Sequence, residues 1–212
     1  MGRKRGKALI FCGMATLVCA AWAFAQEGAT AQVKETIDKV LAILRDPALK
    51  GPDKEELRRK KLKDAIYPRF DFSEMAKRSL ATHWRDRTQK EREEFVTLFA
   101  DLLEQSYHKK LESYTDQEII YAKEQIEDKF GLVATKIVSQ KENLDIPIDY
   151  KLMRQDGQWR VYDVVVEGVS LVSNYRGQFN RIIQTSSYAE LVRKMRVKQE
   201  AEVLSVVPTP KR

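Results

Sequence analysis

Among side chains able to do chemistry, this 212-residue chain offers two histidines, two cysteines and 31 carboxylates. His83 and His108 have no H-x-x-x-H partner and no carboxylate at ligand spacing, so they read as surface or rim residues. There is no G-x-S-x-G elbow, no phosphate-binding glycine loop and no dinucleotide fingerprint. Ser170, in Glu167-Gly168-Val169-Ser170-Leu171, lacks the glycine that would have to follow it in an elbow and reads as a helix N-cap. Asp163 is the remaining candidate. A hairpin turn at Asp156-Gly157 implies a register with Leu152 opposite Val161, Tyr150 opposite Asp163 and Ile148 opposite Val165. That register sets the carboxylate on an apolar face, where burial could raise its pKa and make it a general base. The sequence supplies no second acid–base partner, so a structural role, bonded to a tyrosine hydroxyl or a backbone amide, is preferred. The inventory predicts no catalytic residue, no metal site and no cofactor.

The N-terminus is more specific. Arg3, Lys4, Arg5 and Lys7 precede an uncharged stretch from Ala8 to Ala25 that ends in Ala23-Phe24-Ala25. This is the pattern of a cleaved secretory signal peptide, residues 1–25, with an uncleaved inner-membrane anchor as the alternative. A lipoprotein reading through Cys19 is opposed by the bulk of Val18 before it. Cleavage removes Cys12 and Cys19, leaving no thiol for a disulfide, a nucleophile or a metal. It also lowers the net charge from +7 to +3, so the basic whole-chain balance is partly a targeting feature and poor support for nucleic-acid binding. An exported, periplasmic protein is expected.

The elements that must position these residues follow from periodicity. Val33, Ile37, Val40, Leu41 and Leu44 recur at helical spacing before Pro47, and a weaker helix runs through Leu57, Leu62 and Ile66 to Tyr67-Pro68. Asp71 or Ser73 caps a third helix carrying Met75, Ala76, Leu80 and Trp84. The capping box Thr88-x-x-Glu91 opens the longest one, with the apolar stripe Phe95, Phe99, Leu102, Leu103, Tyr107, Leu111 and Tyr114. The period then changes to two, predicting strands at 118–126, 132–139, 144–154 and 158–167. Helices return after Gly168, through Leu171, Tyr175, Phe179 and Ile182, and Ser187-x-x-Glu190 starts the last one. The domain is expected to span residues 26–198, with a polar, disordered tail over 199–212 carrying Pro208 and Pro210. Helices, an antiparallel meander and closing helices make an α+β fold.

Charge is uneven. Residues 50–92 hold 14 basic and 8 acidic groups, and residues 93–150 hold 6 and 13. The run Arg58-Arg59-Lys60-Lys61 reads as a solvated helix face or as a docking surface for anionic headgroups or an acidic partner. Large apolar side chains are abundant, and spacing alone does not say whether they fill a core or line a pocket.

Thr88–Tyr114, TQKEREEFVTLFADLLEQSYHKKLESY, resembles the central helix of the MlaC family of periplasmic phospholipid-binding proteins. GQWRVYDVVVEGVSL over 157–171 resembles the family's W-x-x-Y-D-x-x-x-x-G-V-S segment, and the stretch 178–196 resembles its closing helices. The resemblance covers roughly residues 30–200. It implies a monomeric lipid carrier with acyl chains held between a curved antiparallel sheet of about four strands and the helices. It implies no cofactor beyond phospholipid cargo. The implied partners are an inner-membrane ABC transporter with an MCE-domain ring and an outer-membrane lipoprotein–porin complex. A hopanoid or other lipid carrier, and a ligand-free envelope adaptor, are the alternatives. Mapped onto this chain, the lipid-binding residues are Phe99, Leu103 and Tyr107 on the long helix and Ile148, Tyr150, Leu152, Val161 and Val165 on the sheet. Val169, Leu171, Tyr175 and Phe179 follow from the G-V-S segment onward. Each of them could equally be ordinary core. Arg69, Arg78 or Arg85 would meet the headgroup.

Overall fold

The computed structural model describes residues 28–113, 117–139 and 143–197. The expected signal peptide, both cysteines, Tyr114 and the tail lie outside them. Helix α1 (Ala29–Arg45) stops at Asp46-Pro47, and α2 (Glu55–Ile66) follows Gly51, whose φ of 104° suits only glycine. Asp71 caps α3 (Phe72–Leu80), accepting from the Glu74 amide at 2.8 Å. The Thr88–Glu91 box opens α4 (Gln89–Glu112). Five antiparallel strands then run in sequential order, β1 (Glu118–Glu127), β2 (Phe130–Ser139), β3 (Leu144–Gln155), β4 (Gln158–Val166) and the two-residue β5 (Val169–Ser170). The chain closes with α5 (Leu171–Thr185) and α6 (Tyr188–Arg196). The expected α+β architecture is present, with one short strand more than the periodicity showed.

The β3–β4 hairpin turns where expected, with φ of 48° at Asp156 and 81° at Gly157. Its register departs from expectation. Leu152 faces Val161, but Lys151 faces Asp163, so Tyr162 is an extra residue in a bulge. From there on, Tyr150 pairs with Val164 and Ile148 with Val166, not with Asp163 and Val165. The bulge thus inverts the parity of β4. Val164 and Val166 join the apolar face, and Asp163 passes to the face of Lys151, whose Nζ is 3.5 Å away.

Asp163 has a structural task there. One carboxylate oxygen accepts from the Ser170 hydroxyl at 2.7 Å and the other from the Val172 amide at 3.1 Å. Ser170 in turn accepts from the Ser173 amide at 3.0 Å, as the expected N-cap of α5. Both carboxylate oxygens are committed to the β4–α5 junction, so the general-base alternative is set aside.

Three separate apolar clusters form. The first packs α3, α4, α5 and α6 through Met75, Phe95, Phe99, Tyr175, Phe179 and Leu191. The second packs α1 on the sheet through Val33, Val133, Leu152, Trp159, Val161 and Val164. The third, Val40, Leu44 and Leu62 with Ile66 and Leu111, joins α1, α2 and one end of α4. Leu62 is the one buried side chain of α2. Ion pairs supply the rest of its attachment: Arg58 reaches Glu112 at 2.8 Å, Arg59 reaches Glu104 at 2.5 Å and Lys63 reaches Glu104 at 3.2 Å. Lys60 pairs with Asp64 at 2.8 Å. Two of the four residues of the basic run, Arg58 and Arg59, thus clamp α2 onto α4.

Two predictions follow from these ties. Replacing Asp163 by Ala leaves a buried amide and a hydroxyl without their acceptor and should cost about 3 kcal/mol in urea unfolding; a loss below about 1 kcal/mol would contradict the junction role. For Glu104, burial pushes the carboxyl up, but hydrogen bonds and charge from Arg59 and Lys63 outweigh it and hold it below 4.5. A lowered folded pKa stabilises above the ordinary value, and that stability is lost as pH falls through the folded one. Glu104→Gln should therefore be less stable than the wild type at neutral pH, with the gap closing on acidification below 4.5. Urea midpoints measured across that range check the sign.

Candidate functional site

Where the three clusters meet they do not merge, and a cavity of about 290 Å³ remains. One wall is the sheet, with Ile148 and Tyr150 of β3 and Val164 and Val166 of β4, continued by Val169 and Leu171. The facing wall is α4, through Ala100, Leu103, Tyr107 and Leu111. These four recur at intervals of three or four residues; Leu103, one turn on from Phe99 and in the same core cluster, stands where that core borders the cavity. Phe70, Phe72 and Met75, with Leu62, Ile66 and Tyr67 of α2 and the turn after it, complete the lining, the Tyr67 and Phe72 rings lying 4.6 Å apart. The charged groups and the one imidazole in the lining are Arg59, Lys63, Glu104, His108, Lys110 and Glu112, which form a rim, and Tyr67, Tyr107 and Tyr150 add hydroxyls.

Burial pushes the Tyr150 hydroxyl up to about 12. Burial likewise raises Tyr107, with Tyr175 adding to the effect. Both stay neutral at physiological pH, so the inner wall carries no charge. Among the described residues no group of His, Cys, Asp and Glu is placed to hold a metal. His83 bonds Asn180 at 2.9 Å, and His108 bonds the Gln105 carbonyl at 3.1 Å. A cavity with neutral apolar walls and a charged rim can take up an amphiphile, tail inward.

The structure divides the sequence-predicted site residues. Leu103, Tyr107, Ile148, Tyr150, Val169 and Leu171 line the cavity. Phe99, Tyr175 and Phe179 lie in the helical core instead, their rings packed edge to face, as where Phe99 meets Tyr175 at 5.3 Å and 88°. Leu152 and Val161 are buried beneath α1 beside Trp159. Val165 is turned to the opposite face by the bulge, and its neighbours Val164 and Val166 take its place. The three suggested headgroup arginines are also elsewhere. Arg69 pins α1 to β4 by donating to Gln32, to Thr36 Oγ1 at 3.1 Å and to the Trp159 carbonyl at 2.8 Å. Arg78 pairs with Glu74 at 2.8 Å and lies over the Tyr162 ring, and Arg85 is exposed outside the cavity. Missed altogether were Phe70, Phe72 and Met75. The sequence signal for the two phenylalanines is an aromatic cluster, Tyr67-Pro-Arg-Phe-Asp-Phe72, between two helices, and Met75 read only as a core residue of the third helix.

The comparisons with known proteins agree with this architecture. A phospholipid-binding protein from Ralstonia solanacearum, solved in complex with a phospholipid, superposes with a TM-score of 0.73 at 24% identity, covering 84% of this chain and 99% of that one. The likeness is one of fold. A Haemophilus influenzae protein, the intermembrane phospholipid transport system binding protein MlaC, is 24% identical over 138 residues, 63% of this chain. The chain spans 64% of that relative's length. The family model described as MlaC protein matches residues 34–197, nearly the whole of the described domain. This chain belongs to the MlaC family.

Proposed function

We propose that this protein is a periplasmic lipid carrier, exported by the signal peptide over residues 1–25, that holds phospholipid acyl chains in the cavity. It would move them between an outer-membrane lipoprotein–porin complex and an inner-membrane ABC transporter with an MCE-domain ring. The observation that carries this reading is the unfilled apolar space between three clusters, walled by neutral side chains and rimmed by charged ones. Family membership, the named function of the Haemophilus relative and the lipid bound to the Ralstonia neighbour support it.

The energetics run the same way. Each buried methylene is worth about 0.8 kcal/mol, so a sixteen-carbon chain in water costs roughly 12 kcal/mol. An acyl chain seated against these apolar walls is relieved of much of that cost. Nothing in such transfer requires a covalent step, so the direction of transport must be set by the partners.

The test uses the difference between a filled core and a gap. Leu103→Trp and Val164→Trp project a bulky ring into the cavity and should slow phospholipid transfer between vesicles about tenfold or more. They should cost less than about 1 kcal/mol in stability, because the ring occupies existing space, whereas Phe99→Trp in the packed helical core should cost about 1–3 kcal/mol. Transfer unchanged in both cavity variants would overturn the reading.

A further inference from the structure

Cations from two helices line the cavity: Arg59 and Lys63 from α2, and Lys110 from α4. Arg59 and Lys63 share one carboxylate, Glu104, which accepts from them at 2.5 and 3.2 Å and from the Tyr67 hydroxyl at 3.3 Å. Asp101 stands off at 3.9 Å from Lys63, and Glu112 is taken by Arg58 at 2.8 Å. Lys110 forms no ion pair among the described residues. With Glu112 held by Arg58, the two carboxylates Glu104 and Asp101 against three cations leave this charged part of the lining net positive.

We propose that Arg59, Lys63 and Lys110 form a subsite for the phosphodiester of a lipid headgroup, and that Glu104 occupies Arg59 and Lys63 until the phosphate displaces it. The inference rests on the carrier reading and assigns residues of this chain to the headgroup: a phosphate-bearing lipid is held at its head as well as its tails, whereas an uncharged one such as a hopanoid or a diacylglycerol is held by its tails alone. The chemistry is an exchange of like for like. A carboxylate and a phosphodiester present the same pair of anionic oxygens to the guanidinium fork and the ammonium. While no headgroup is present, Glu104 keeps these half-buried cations from standing unpaired beside an apolar wall. Because the same contact ties α2 to α4, displacing Glu104 also loosens the helix that lies across the cavity.

The experiment measures binding of tail-labelled fluorescent phosphatidylglycerol and of a diacylglycerol with identical chains, each presented on cyclodextrin to purified, delipidated protein. The wild type should prefer the phospholipid about tenfold, as expected for one charge-assisted contact pair. Arg59→Met/Lys63→Met should abolish that preference, so that the two lipids bind equally. Glu104→Gln should raise the preference for phospholipid over diacylglycerol by about threefold; weaker binding of both lipids with no gain in preference would make Glu104 a structural tie only and overturn the proposal. Lys110→Met breaks no ion pair among the described residues and keeps the test decisive if the double variant fails to fold. It should weaken phospholipid alone by about threefold. Millimolar inorganic phosphate should compete no better than chloride at equal ionic strength; specific displacement by it would assign the site to the free anion and overturn the headgroup assignment. Equal wild-type affinity for the two lipids overturns the subsite but leaves the carrier reading intact. Binding of neither lipid overturns both.

Discussion

Apolar burial organises this protein, and its defining property is that the burial is incomplete. The helices α3 to α6 build one core around Phe95, Phe99, Tyr175 and Phe179, and α1 builds another with the sheet around Leu152, Trp159 and Val161. In an ordinary domain of this size these would fuse, because each unfilled volume forfeits dispersion contacts on both sides. Here Phe70 touches both cores at one end, and elsewhere Leu103 and Tyr107 face Tyr150 and Val164 across open space. Keeping them apart requires rigid supports outside the gap. Asp163 ties β4 to α5, and Arg69 ties the turn after α2 to α1 and β4.

The attachment of α2 differs in kind. It contributes one buried apolar side chain and several charged contacts to α4, and charged contacts near the surface are weaker and more salt-sensitive than packed cores. Gly51 at one end and Tyr67-Pro68 at the other bound the helix with turns. Elements held by few buried apolar contacts open locally at lower cost than packed cores, and α2 is held in this way.

Much of this architecture was legible in the residues. Pro47, Asp71, the Thr88–Glu91 box and Ser170 placed helix ends because each satisfies or forbids a particular backbone hydrogen bond. Asp156-Gly157 placed the hairpin because both residues must take positive φ. What could not be read was parity beyond the bulge at Tyr162. One extra residue exchanged Val165 for Val164 and Val166 on the cavity wall and carried Asp163 to the other face. Nor could the spacing along α4 separate core from cavity. Phe99 and Leu103 are one turn apart, and only the placement of α5 against the first leaves the second facing the gap. The arginines expected near a headgroup failed for a similar reason: Arg69 resembles any surface cation in sequence, and its three acceptors come from α1 and β4, distant in the chain.

The claim on which all of this depends is that the gap is a binding volume for acyl chains. Organic extraction followed by mass spectrometry, applied to protein secreted to the periplasm and purified without detergent, tests it most directly. The account predicts stoichiometric phospholipid. Natively folded protein that yields no lipid would contradict it, and would make the space between the clusters a packing feature with no cargo.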